Sequence, residues 1–143
     1  MENLNDDFWN NRMKRMVQME KHLAENGTII IKFFLHLSKE EQKSRLLKRI
    51  DKPKHRWKLE PRDLEERKYW DTYQFCYEEM LKNTNHKAGK WYIIPSDDKN
   101  LSRLITAKII YKTLKKYTDI EYPQPNDTIL NNLNTYKKQL LES

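Results

Sequence analysis

The chain has 143 residues, a net charge of +7, 37% apolar residues and 34% charged residues. That length allows one domain with a modest core, and the low apolar share predicts much exposed helix, or apolar faces completed by another chain. The positive balance favours polyanionic partners, among them nucleic acid, nucleotides, polyphosphate and acidic membrane surfaces.

A single cysteine, Cys76, excludes an internal disulfide framework. The opening stretch "MENLNDDFWNNRMKRM" has no apolar run and carries acids early, unlike a signal or transit peptide. No segment reaches the apolar length of a membrane span. A soluble, cytoplasmic protein without membrane contact is expected.

From about Asn5 to Asn26 the pattern is helical, with Trp9, Met13, Met16, Val17, Glu20 and Leu23 at helical spacing and Gly27 as a stop. "TIIIKFFLH", Thr28 to His36, has the composition of a strand buried on both faces of a parallel sheet. "SKEE" opens a second helix, with Ser38 as cap and Glu41 completing a capping box. It runs to about Asp51, with Leu46, Leu47 and Ile50 facing inward. "DKPKHRWKLE" is a basic connection, because Pro53 breaks the helix and Pro61 suits the first turn of the next. That helix extends to about Asn83 on a stripe of Trp70, Tyr73, Tyr77, Met80 and Leu81, with Cys76 among its apolar positions. "WYIIP" is a short second strand, "SDDKN" a loop and cap, and Leu101 to Tyr117 an amphipathic helix. "EYPQPND" reads as a linker before a last helix from Asp127, carrying Ile129, Leu130, Leu133, Tyr136, Leu140 and Leu141.

Strands alternating with helices predict an α/β, doubly wound parallel architecture. Two strands are too few to complete one, since a buried parallel strand expects neighbours on both sides. The only glycines are Gly27 and Gly89. Their separation excludes a Walker A loop, which needs two glycines five positions apart.

Four segments carry a resemblance. "FFLH-S-EEQ", "R-DKP-K-RWK", "D---R--W--Y" and "IP-DDK---R" follow the order and approximate spacing of the C-terminal half of the polyphosphate kinase 2 family. The resemblance runs from about Trp9 to Tyr117. It implies a partial P-loop kinase-like, thymidylate kinase-like three-layer domain, helix-rich with two parallel strands. It implies reversible phosphoryl transfer between polyphosphate and nucleoside mono- or diphosphates of the ADP, AMP and GDP class, with magnesium. The expected metal ligand and the phosphate loop are absent from this chain, so it is expected to be inactive alone and to need an N-terminal half. The expected organisation is residues 1–117 as the C-terminal half of such a domain, with a lid at about 45–70, and 118–143 as linker and helix.

Phosphoryl transfer asks the protein for positioning and charge neutralisation, and the arginine fork suits paired phosphate oxygens. Arg45, Lys52, Lys54, Arg56 and Lys58 form the expected phosphate-binding lid, with Arg49 and Arg67 in the catalytic role that the resemblance implies. The alternative for this run is a solvated basic loop. Arg67 borders the apolar stripe and needs a partner, either a substrate phosphate or Asp63 one turn back. Lys32 lies in a buried-looking strand and either faces the site at the sheet's C-terminal edge or forms a structural ion pair. Asp97 and Asp98 suit a helix cap. By resemblance their loop lies near the nucleotide or polyphosphate channel, with Lys99 and Arg103 available to phosphate. Trp57, Trp70 and Tyr73 read as core packing in preference to base stacking. No histidine spacing indicates a metal site.

Three functions compete. The chain is the lid-bearing half of a polyphosphate-dependent nucleotide kinase, a non-catalytic basic protein binding polyphosphate or nucleic acid, or a truncated homo-oligomeric remnant whose strand edges a second copy covers.

Overall fold

A single left-handed residue separates the first helix from the sheet. α1 (Asp6–Glu25) ends at Gly27, where φ is 85° and a side chain would be strained. The Thr28 amide closes the turn on the Leu23 carbonyl at 3.0 Å. The computed structural model describes residues 6–143; Asn5, the expected helix start, lies outside them.

Two strands follow, β1 (Lys32–His36) and β2 (Trp91–Pro95), paired in parallel with Lys32 opposite Trp91 and His36 opposite Pro95. The connection between them consists of α2 (Lys39–Asp51), a 3₁₀ segment Pro53–Lys58, α3 (Pro61–Glu66), a 3₁₀ turn Arg67–Tyr69 and α4 (Trp70–Thr84). After β2 comes α5 (Lys99–Leu114). Helices and a parallel strand pair make this an α/β fold, as expected. Its core is thin: among the described residues only Leu46 and Ile94 are buried apolar side chains.

The first compact unit ends at Tyr111, and a second begins at Lys112. The second contains α6 (Asp127–Glu142), whose first turn is capped by the Asn126 side chain accepting from the Ile129 amide at 2.9 Å. Its apolar residues Leu130, Leu133, Leu140 and Leu141 are exposed. Among the described residues no helix is long and apolar enough to cross a membrane.

Several expectations need correcting. β1 is shorter than Thr28–His36: among the described residues its one strand partner is β2, whose register begins opposite Lys32, so Thr28 to Ile31 have no strand partner. Leu35 is exposed instead of buried, because its face of the strand is left uncovered among the described residues. The helix expected from Pro61 to Asn83 is broken at Arg67–Tyr69, where Tyr69 leaves helical geometry at φ −93°, ψ 22°. Its start is as expected of Pro61, supported by a reciprocal cap between Glu60 and Asp63. At α2 only half of the expected box forms. Ser38 Oγ accepts from the Glu41 amide at 3.1 Å, while the Glu41 carboxylate turns to Arg45. Leu47, Ile50, Trp57 and Cys76 are exposed instead of packed inward, because among the described residues no layer covers those faces.

Candidate phosphate-binding site

The carboxyl end of the strand pair is a knot of backbone and side-chain bonds. The Ser96 amide donates to the His36 carbonyl at 2.8 Å, continuing the ladder past β2. The Ser38 amide donates to Asp97 Oδ1 at 2.8 Å, and this bond holds the Asp97 carboxyl below the usual aspartate range. Asp98 Oδ1 accepts from the Asn100 and Leu101 amides at 2.7 and 3.1 Å, so it caps α5. Arg45 Nη2 donates to the Ser96 carbonyl at 2.5 Å, and Arg45 Nε to Glu41 at 2.9 Å. The structure therefore gives Arg45 a bracing role between α2 and the β2–α5 loop. Its guanidinium, expected in the lid, is engaged by protein acceptors.

The basic connection beside this knot is ordered by its own arginines. Arg49 Nη1 bridges to Asp63 at 3.1 Å and donates to the Lys58 carbonyl at 3.2 Å. Arg56 Nε donates to the Ile50 carbonyl at 3.0 Å. These contacts tie the 3₁₀ segment to the helices on either side. Lys52, Lys54, Lys99 and Arg103 are exposed, and none forms an ion pair with another described residue. Lys58 Nζ sits 4.9 Å from the centroid of the Trp57 ring. His55 reports the local field: partial desolvation, then the ammoniums of Lys54, Lys58, Lys52 and Lys99, hold its imidazole below the ordinary histidine range. Lys99, at the start of α5, adds the smallest part of that effect.

Arg67 lines an open cleft of about 470 Å³ with Phe34, His36, Trp70, Tyr73 and Tyr77. Its Nη1 donates to the Lys39 carbonyl at 2.9 Å and to Gln42 Oε1 at 2.5 Å. Asp63, the expected internal partner, is taken by Arg49 instead. Glu66, also on the cleft wall, is held low by hydrogen bonds from Tyr73 and Arg62.

Lys32 lies elsewhere. It is the first residue of β1 and so sits at the amino end of the sheet, away from the carboxyl-end loops. Its Nζ donates to Glu20 Oε2 at 2.7 Å and to the Thr84 carbonyl at 2.6 Å, above the Trp91 ring. The structural ion pair is the reading that holds, and the site role expected for Lys32 does not. His86 Nε2 joins the same Glu20 oxygen at 2.6 Å. Burial pushes the Glu20 carboxyl up, but the bonds from Lys32 and His86 outweigh it and hold it below the usual range. Glu20 and His86 were not legible as partners, because they come from α1 and from the turn after α4. The one local signal was Gly89, where an added Cβ would lie 2.7 Å from Glu20 Oε2.

The magnesium implied by the resemblance finds no fit here. Among the described residues no group of three or more His, Cys, Asp or Glu side chains is placed to hold a metal ion. The acids near the site are engaged: Asp63 by Arg49, Asp97 by Ser38, and Asp98 by the amides it caps.

A parallel strand pair, joined through helices and followed by another helix, defines an α/β protein. Comparison narrows the class. The chain belongs to the polyphosphate kinase 2 family, whose model matches residues 1–122. It is 43% identical over 141 residues to an ADP-polyphosphate phosphotransferase of Rhodopseudomonas palustris, covering 99% of this chain and 48% of that protein. It is 40% identical over 117 residues to an AMP/ADP-polyphosphate phosphotransferase of Meiothermus ruber, covering 82% of this chain and 43% of that protein. The crystal structure of polyphosphate kinase 2 from Arthrobacter aurescens TC1 superposes with a TM-score of 0.76 at 29% identity, covering 93% of this chain and 46% of that one. The chain thus spans under half the length of each of these three proteins.

Proposed function

We propose that this chain supplies the lid and far wall of a polyphosphate-dependent nucleotide phosphotransferase. The carrying observation is the positive field of the exposed cations Lys52, Lys54 and Lys58 on and beside the 3₁₀ segment, in a chain of the polyphosphate kinase 2 family. Such a field suits a chain of phosphates better than a single one. Lys52, Lys54, Lys58, Lys99 and Arg103 would neutralise phosphate oxygens, and Arg56 would hold the 3₁₀ segment in shape. Asp97 and Asp98 would set the loop beneath it. Arg49 and Arg67 are the proposed catalytic pair. Each now donates to a protein acceptor, so each would exchange that acceptor for a phosphate oxygen as the lid closes.

Two glycines at Gly27 and Gly89 cannot build a Gly-rich phosphate loop. A P-loop half would have to supply that loop, and the metal site with it. That half, or a second copy of this chain, would also cover the unpaired strand edges. The nucleotide would be of the ADP, AMP or GDP class.

The test is phosphoryl transfer from polyphosphate to ADP, measured with the chain alone and with the separately produced N-terminal half of the Rhodopseudomonas palustris relative. No transfer alone and transfer with both is expected. Transfer by the isolated chain would refute the half-site reading, and inactivity in every combination would count against it.

A further inference from the structure

Trp57 stands out once the fold is known. Its side chain was expected in the core, yet it is 79% exposed. An indole held in water forfeits the burial that normally stabilises it. Its setting is also unusual, because Lys54, Arg56 and Lys58 surround it in sequence within one 3₁₀ segment. Protein–protein contacts deplete lysine at their centres, so this ring is poorly suited as an anchor for another protein. An exposed aromatic among cations is instead the composition that binds nucleobases joined to phosphate.

The local geometry specifies how. In a 3₁₀ helix residues i and i+3 eclipse, about 6 Å apart along the axis. Lys54 and Trp57 have that relation, and Pro53–Lys58 is a 3₁₀ helix. Six ångströms is about the distance that a ribose places between a base and its first phosphate. Lys58 Nζ lies over the same ring at 4.9 Å, so a phosphate attracted to it arrives beside the indole. Arg49 and Arg56 hold the segment by bonds to the Lys58 and Ile50 carbonyls, so the ring is presented on an ordered support.

We infer that Trp57 is the stacking platform for the base of the nucleoside phosphate, making it a specificity residue in the lid. The inference rests on the phosphate-site reading above and adds the base to it.

The experiment compares ADP with pyrophosphate, which offers two phosphates and no base. Binding to the full chain is measured by calorimetry at one fixed salt concentration, for the wild type, Trp57→Ala and Trp57→Phe. The wild type is expected to prefer ADP by about tenfold, the size of one base–aromatic stack. W57A should abolish the preference and leave pyrophosphate affinity unchanged, while W57F should keep most of it. Trp57 is exposed, so W57A should retain the thermal midpoint and circular dichroism of the wild type. A preference that survives W57A, or is absent from the wild type, overturns the inference while leaving the phosphate site standing. Loss of ADP and pyrophosphate binding together in W57A also overturns it, by making Trp57 a structural part of the lid. A wild-type chain that binds neither ligand overturns the inference together with the phosphate-site reading.

Discussion

The two ends of the strand pair use charge in opposite ways. At the amino end the largely buried side chains of Lys32 and His86 both converge on one Glu20 oxygen. At the carboxyl end the acids are consumed by backbone amides and arginines, and the lysines of the 3₁₀ segment are left facing water. Buried charge without a partner is costly, so the first arrangement holds the fold together. Exposed like charges repel one another, so the second costs stability and suits a polyanion that relieves it. A lysine in this protein is therefore informative chiefly through what lies within 4 Å of it.

The contrast can be broken most forcefully at Lys32. Lys32→Met leaves the largely buried Glu20 carboxylate with the His86 ring as its remaining hydrogen-bond partner, and should cost about 3 kcal/mol in denaturant unfolding. Polyphosphate affinity of the folded fraction should be unchanged. A loss under about 0.5 kcal/mol, the range of an ordinary surface substitution, would return Lys32 to the candidate site. Gly89→Ala attacks the same cluster sterically. Its Cβ meets Glu20 Oε2, an atom already pinned by two partners, so a loss of about 1–3 kcal/mol is expected, read from the thermal midpoint.

The carboxyl end offers a smaller, sharper signal. His55 should titrate below the ordinary value of about 6.5, because desolvation and the four nearby ammoniums disfavour its cation. The folded state then binds fewer protons than the unfolded one, so the His55 contribution to stability is present above the ordinary histidine pKa. It is lost as pH falls toward the lowered one. Polyphosphate neutralises those ammoniums and should move the titration upward, which nitrogen-resolved NMR of the imidazole would record. An unmoved midpoint at saturating polyphosphate would separate His55 and its lysines from the binding site.

Local rules made much of the fold legible. Ser38 caps α2 by the bond its sequence predicts, Gly27 stops α1, and β2 coincides with "WYIIP". These features depend on residues within one turn or one strand. What failed depends on remote partners. The length of β1 is set by where β2 begins, and the direction of Lys32 by Glu20 and His86. The break at Arg67–Tyr69 accompanies the reach of Arg67 to α2. Trp57 and Cys76 were expected inside because periodicity identifies a face without showing whether anything covers it. At the site, the residue types were legible from the arginine and lysine pattern. Their division into braces and free cations was not, since it depends on the carbonyls and carboxylates that folding brings to Arg45, Arg49 and Arg56 and not to Lys52 and Lys54.

The central claim is that polyanion binding belongs to the carboxyl end and is not a general effect of net charge. The most direct test compares two triple variants of equal charge, K52A/K54A/K58A at the carboxyl end and K14A/K21A/K87A elsewhere on the surface, each titrated with polyphosphate over a range of salt. The lid variant should flatten the salt dependence by about 2 in logarithmic slope, from about 0.7 per lost phosphate contact, and the other should match the wild type. Equal losses in both variants would contradict the account.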